Sequence, residues 1–327
     1  MTHAITDNQG LICAFQLVPG TEREADVLAE AEAGGGACPL WLHFNLNDVR
    51  AQRWIEQRAP IPDEARVALC EPEARVRVEL LPDSFVIVLG DLHHDFRADP
   101  EAVGELRMYV DAQRMITARR HPLETSDRLR RELRRSHAIE TPIGLFEHFV
   151  ELLAGTFGAV VSRLTDEVDD AEDRVLAGRY LDQGTGIGRM RRLLVRLRRF
   201  IAADRAALVQ LAARLPAVFG SDERQHLREA IDALDAVAQD LELVQDRARL
   251  LQEEIAGRVG EATNRNLYML SIVTTLLLPI TLITGVFGMN VPGLPWLENP
   301  SGFWWVVAVM VIALVGTLYF LRRRRIL

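Results

Sequence analysis

The chain has 327 residues, a formal net charge of −8 and 26% charged residues, yet the charge is confined to part of it. From Leu267 to Leu321 the only acid is Glu298, whereas residues 1–266 hold 34 Arg against 45 acids. A long uncharged stretch of this kind excludes a wholly soluble protein, because a folded surface in water needs polar cover.

Residues 1–140 read as an α+β domain, strands flanked by helices. "LICAFQLV", "CPLWLHFN", "ARVRVELL", "SFVIVLGDL", "ELRMYVD" and "RMITARR" are short β-rich runs bounded by Gly, Pro, Asp or Asn. "IPDEARVALCE" predicts a helix opened by Pro62 and Asp63, and "VDAQRMI" a tight hairpin around residues 111–113. Strand order is not legible. The start lacks a basic region followed by an apolar run, so no cleaved signal is expected. Cys13, Cys38 and Cys70 are expected as free thiols.

"DLHHDF" places His93 and His94 beside Asp91 and Asp95. Neighbouring residues on a strand point to opposite faces, so joint chelation is awkward. A polar surface loop is the favoured reading, with a weak metal site at His93 and His94 as the alternative. His43 in "WLHFN" reads as structural.

Residues 141–266 are helical. One helix is expected from about Pro142 to Ala177 and a second from about Arg189 to Arg214, with breaks at "GRYLDQGTGIG" and "LPAVFG". "GTGIG" lacks the spacing and preceding strand of a dinucleotide loop. The basic run "RMRRLLVRLRRF" invites a nucleic-acid or lipid reading. The acidic "DEVDDAED" just before it favours salt-bridged packing in an antiparallel hairpin, so no nucleic-acid partner is expected.

A third helix starts at Ser221. Its apolar residues Leu227, Ile231, Leu234, Ala238, Leu241, Ala248, Ile255, Val259 and Ala262 recur at helix-packing intervals. Unbroken, it reaches residue 287 and is about 100 Å long. So long a stalk is expected to need other copies to bury its seam. Its acids include Asp235, Asp240, Glu242, Asp246, Glu253, Glu254 and Glu261. Glu253 and Glu254 are the candidates for a cytoplasmic cation site; a solvated helix face is the alternative for each.

Two segments satisfy the length and apolarity of a bilayer span, residues 267–289 and 301–321. The loop at 290–300 is then expected to be periplasmic. The basic tail, residues 322–327, belongs in the cytoplasm by the positive-inside bias, which returns the N-terminus to the same side. Two spans cannot enclose a hydrated path, so conduction would need several copies around one pore. Asn264, Leu267, Ser271, Thr274, Leu278, Thr281 and Gly285 fall every three or four residues and make the first span the better lining. Self-bonded hydroxyls are the competing explanation of its Ser and Thr. The second span is Val- and Ala-rich, as a lipid-facing helix should be.

"GVFGMN" closes the penultimate helix before a short loop, a last helix and a basic tail. In that position Gly288, Met289 and Asn290 resemble the signature of the CorA-type divalent-cation transporter family. "LPITLITGVFGMNVPGLPWLENPSGFWWVV", "WLHFN" and "ELRMYVDAQRMITARRHPL" resemble its zinc-transporting ZntB branch more than the magnesium branch. ZntB loops usually read Gly-Met-Asn-x-Gly-Gly-x-Pro; here Pro292 replaces the first Gly of the pair. The resemblance, which covers essentially the whole chain, implies a homopentameric funnel in the bacterial inner membrane. It further implies a pore lined by the first span, with Asn264, Leu278 and Thr281 on the family's pore positions and the Gly-Met-Asn ring as the ion entrance.

The chemistry follows separately. The spans offer no Cys, His, Asp or Glu. Zinc stripped of water seeks thiolate or imidazole, and magnesium carboxylates, so a hydrated ion is expected to pass. Proton coupling, proposed for the zinc branch, would have to use water, Glu298 or cytoplasmic groups. No cofactor beyond the transported ion and no enzymatic activity are expected. The rival readings are a magnesium/cobalt channel and a membrane-anchored coiled-coil adaptor that moves nothing.

Overall fold

The computed structural model describes residues 10–17, 38–72, 75–93, 103–135, 139–179, 184–289, 294–295 and 301–324. It comprises two units, Met1–Gln252 and Glu253–Leu327.

In the first unit the six β-rich runs form one sheet. Its strands are β1 (Leu11–Gln16), β2 (Leu40–Asn45), β3 (Arg77–Leu80), β4 (Ser84–Leu92), β5 (Val103–Asp111) and β6 (Arg114–Arg119). They lie in the order β1-β2-β6-β5-β4-β3. β2 and β6 run parallel, and every other neighbouring pair is antiparallel. The expected hairpin joins β5 to β6. The Asp111 carboxylate accepts from the backbone N–H groups of Gln113 and Arg114, each at 2.7 Å, which closes the turn.

Both faces of the sheet are covered, so both side-chain sets of each strand are apolar. One face packs on helices α1 (Val49–Gln57) and α2 (Asp63–Cys70) through Leu42, Phe44, Val86, Tyr109 and Ile116. The other face, bearing Trp41, Phe85, Ile87, Met108, Val110 and Met115, packs on the later helices. His43 is buried in the sheet with Nδ1 2.7 Å from the Thr117 hydroxyl. Burial holds its pKa well below the usual imidazole value, which makes it the structural histidine expected.

Helix α3 (Glu124–Leu133) has no side-chain cap of its own. Asp91 supplies one from β4. Its carboxylate accepts from Thr125 Oγ1 at 2.7 Å, Thr125 N at 3.1 Å and Ser126 N at 3.3 Å. Asp91 is therefore fully buried, not part of a polar surface loop. Helix α4 (Pro142–Leu176) opens with Pro142 in its first turn, and the Thr141 hydroxyl accepts from Gly144 N. It ends in a Schellman turn, with Gly178 at φ +80° donating to Val175 O and Arg179 donating to Arg174 O.

Helix α5 (Gly184–Ala213) begins five residues before the expected Arg189, so the "GTGIG" segment is helical. Ile187 and Met190 extend the apolar line of Leu194, Leu197 and Ile201 into the core, and that burial outweighs the poor helix propensity of Gly. Helix α6 (Ser221–Phe287) is one 67-residue element containing Pro279. Its seam residues Leu227, Ile231, Leu234, Leu241 and Ala248 are buried in the same core as α4 and α5. This corrects the expectation that other copies bury that seam: the chain's own helices do so up to Ala248.

The charge runs also find different partners from those expected. The α5 arginines reach α6: Arg191 donates to Gln252 at 2.9 Å, Arg198 to Glu242 at 2.9 Å, and Arg205 pairs with Asp235. Heptad spacing of the three arginines returns them to one flank of the helix. The acidic run on α4 is met by Arg247 of α6, which pairs with Asp169 and Glu172. Each run thus borders the stalk helix instead of the other run.

The second unit holds the later turns of α6 and helix α7 (Gly302–Arg323). Among the described residues three helices are long and apolar enough to cross a membrane. About two thirds of the apolar window in α4 is buried in the chain's own core, whereas none of that in α6 and 6% of that in α7 is. The latter two therefore present an apolar surface that water does not tolerate at this size.

Candidate functional site

Asn264, Leu267, Ser271, Thr274, Leu278, Thr281 and Gly285 all lie in α6, and all seven are exposed. Alternating steps of three and four residues keep them on one stripe of the helix. The Thr274 hydroxyl donates to Leu270 O at 2.8 Å and Thr281 to Leu277 O at 2.9 Å. Self-bonding does not preclude an outward contact here. The proton is committed to the helix, while the oxygen keeps a lone pair for a water molecule's hydrogen. Off the stripe, Thr275 bonds back in the same way, to Ser271 O at 2.8 Å.

At the end of α6, Gly288 N donates to Thr284 O at 2.8 Å. A Cβ on Gly288 would stand 2.9 Å from that same carbonyl oxygen, closer than real side chains approach. The glycine of the signature is therefore required by the turn that closes the helix. Met289 follows with its side chain about half exposed. Asn290, Pro292 and Glu298 lie outside the described residues.

Glu253 and Glu254 sit on consecutive positions of α6, which a helix turns about 100° apart, so one chain does not converge them. Glu254 accepts from Arg258 Nη2 at 2.6 Å and Nε at 3.0 Å in an i,i+4 pair. Of the other stalk acids, Asp235 and Glu242 pair with α5. Among the described residues no cluster of three or more His, Cys, Asp or Glu is arranged to hold a metal ion.

His93 follows β4 and bridges to Leu123; His94 lies outside the described residues. The neighbour that the sequence did not reveal is His121, whose ring centre lies 5.0 Å away. Burial, then the His121 charge, lowers the His93 pKa. Gly104 makes room for this ring, since a Cβ there would stand 2.9 Å from His93 Nε2.

Among the described residues three acids are buried. Asp204 of α5 accepts from Gly90 N at 2.8 Å, and its other oxygen is buried without a partner among the described residues. Burial, reinforced by the charge of Asp91, pushes its pKa well above the ordinary value. Burial raises Asp91 to about 6 against its four hydrogen bonds. Glu147 of α4 is the third, and its signal is only that an acid interrupts an apolar helix face.

The family model described as "CorA-like Mg2+ transporter protein" matches residues 37–323. The divalent cation transporter CmaX of Pseudomonas aeruginosa is 30% identical over 289 residues, covering 88% of this chain and 86% of that protein. The zinc transport protein ZntB of Pectobacterium atrosepticum is 25% identical over 298 residues, covering 91% of each chain. The solved structure of full-length CmaX superposes with a TM-score of 0.81 at 27% identity, covering 98% of this chain and 99% of that one. The match of the family model across strands β2 to β6, the stalk helix and both apolar helices means that this chain belongs to the CorA-like Mg2+ transporter family.

Proposed function

We propose that this chain transports divalent cations, zinc foremost, across the bacterial inner membrane as a homopentamer. The carrying observation is the exposed stripe from Asn264 to Gly285 on an unbroken helix that ends in the Gly288 turn. A relative named as a zinc transporter and another named as a divalent cation transporter support the reading. Helices α6 and α7 span the bilayer, both termini are cytoplasmic, and residues 290–300 face the periplasm.

Five copies of the stripe line the pore, and Gly288, Met289 and Asn290 form its mouth. No acid, base, His or Cys stands in either span, so the ion keeps its water shell. Side-chain and carbonyl oxygens hydrogen-bond those waters and release them easily, which permits passage. Any proton coupling runs through water, Glu298 or the first unit, because the spans lack a relay group. Glu253 and Glu254, repeated around the ring, concentrate cations at the cytoplasmic end. No resident cofactor is involved.

Flux of zinc, magnesium and cobalt into proteoliposomes, with and without a pH gradient, tests this reading. Asn290→Ala is expected to abolish zinc flux while leaving the oligomer intact; wild-type flux in that variant would overturn the role of the mouth. The second reading is a magnesium/cobalt channel, and the family model's description names magnesium. Uptake blocked by cobalt hexaammine and insensitive to zinc would favour it. No flux of any ion would favour an adaptor.

A further inference from the structure

Glu147 sits in the second turn of α4 with only 7% of its surface exposed. Its Oε1 is buried with no hydrogen-bond partner among the described residues. Its Oε2 lies 3.6 Å from Nδ1 of His226 on α6, beyond a normal hydrogen bond. Among the described residues, the other charges that reach it are Glu223 of α6 and Glu151 of α4, both of its own sign. His148, next in sequence, is turned elsewhere, 2.9 Å from Glu132 and 3.2 Å from Glu151. A carboxylate in this place has two like charges near it and an exposed imidazole within ion-pair range of Oε2 but not hydrogen-bonded to it, whereas its buried Oε1 tolerates a neutral carboxylic acid better than an ionised one.

We propose that Glu147 is a proton-binding latch between the start of α4 and the start of α6, closed when its carboxyl is protonated and released when it ionises. Exposed His226 beside Oε2 gives the proton a route to water. The latch acts on the first turns of the helix that carries the candidate pore stripe. It stands whether or not the chain transports zinc.

Burial first, then Glu223 and Glu151, raise the Glu147 pKa to about 8. With a folded value above that of the open state, closure is fully favoured below the ordinary glutamate range. It is lost progressively as pH rises to the folded value and changes no further above it. Hydrogen–deuterium exchange of the full-length protein in detergent, corrected for intrinsic base catalysis, reads the effect at residues 142–150 and 221–230. The opening equilibrium there is expected to rise roughly tenfold per pH unit between about pH 6 and pH 8, then level off. Glu147→Gln, which mimics the protonated acid, is expected to remove the slope. Should that variant fail to fold, Glu223→Gln removes one facing charge and should bring the levelling-off to a lower pH. A flat wild-type profile, a Glu147→Gln slope equal to wild type, or an unmoved break in Glu223→Gln would each overturn the proposal.

Discussion

Asp91 illustrates what a single buried acid does in this chain. Four donors hold it, three of them at the start of α3, yet burial still lifts its pKa to about 6. Asp91→Ala leaves the N–H groups of Thr125 and Ser126 without partners and is expected to cost about 3 kcal/mol of stability, read by chemical denaturation. The pH profile carries the sign. Because the folded value exceeds the unfolded one, wild type should lose stability relative to Asp91→Asn as pH rises from about 4 to about 6, then run parallel to it. Asp204 differs in having one oxygen satisfied and one not. Asp204→Asn keeps the acceptor for Gly90 N and should stay within about 1 kcal/mol of wild type, whereas Asp204→Ala should lose about 1–3 kcal/mol. Neither acid is recognisable in the sequence, since "DLHHDF" and "AADRAA" are equally compatible with a solvated surface.

At the level of elements, α6 is held to α4 and α5 by an apolar seam flanked by charged contacts. Their magnitudes separate them. Leu234 is completely buried, so Leu234→Ala is expected to cost about 2–5 kcal/mol. Arg198 and Glu242 are both more than half exposed, and Arg198→Ala should change stability by less than about 1 kcal/mol. Thermal melts of the two variants check the ranking; an equal loss would mean that the polar flank, not packing, holds the stalk. The six strands, the helix opened by Pro62 and Asp63 and the long helices α4 and α6 were legible, because hydrophobic periodicity acts locally, whereas the short helices α1 and α3 were not read from the sequence. Nor was the start of α5. Glycine's local preference pointed to a break, and only the pocket that receives Ile187 reverses it.

On the scale of the whole molecule, the unburied apolar windows of α6 and α7 require a membrane or other copies as their surroundings. A two-span arrangement makes a direct prediction. In spheroplasts, cysteine introduced by Ser301→Cys should react with an impermeant maleimide from outside. Cysteine introduced by Thr263→Cys should react only after permeabilisation, and the reverse pattern would invert the topology. Much of this was written in one dimension: apolar length, the Gly-Met-Asn signature and the three-four stripe need no partner to be read. Hydrophobic run and helical period are properties of consecutive residues, so sequence alone determined the two candidate spans, the stalk and the family resemblance. The tertiary structure decided what depends on residues far apart in the chain. It ordered the strands, supplied a cap to α3 from β4 and turned both charge runs toward α6. It also buried the upper stalk seam within one chain and brought Glu147 beside Glu223, since burial and like-charge proximity exist only once distant segments meet.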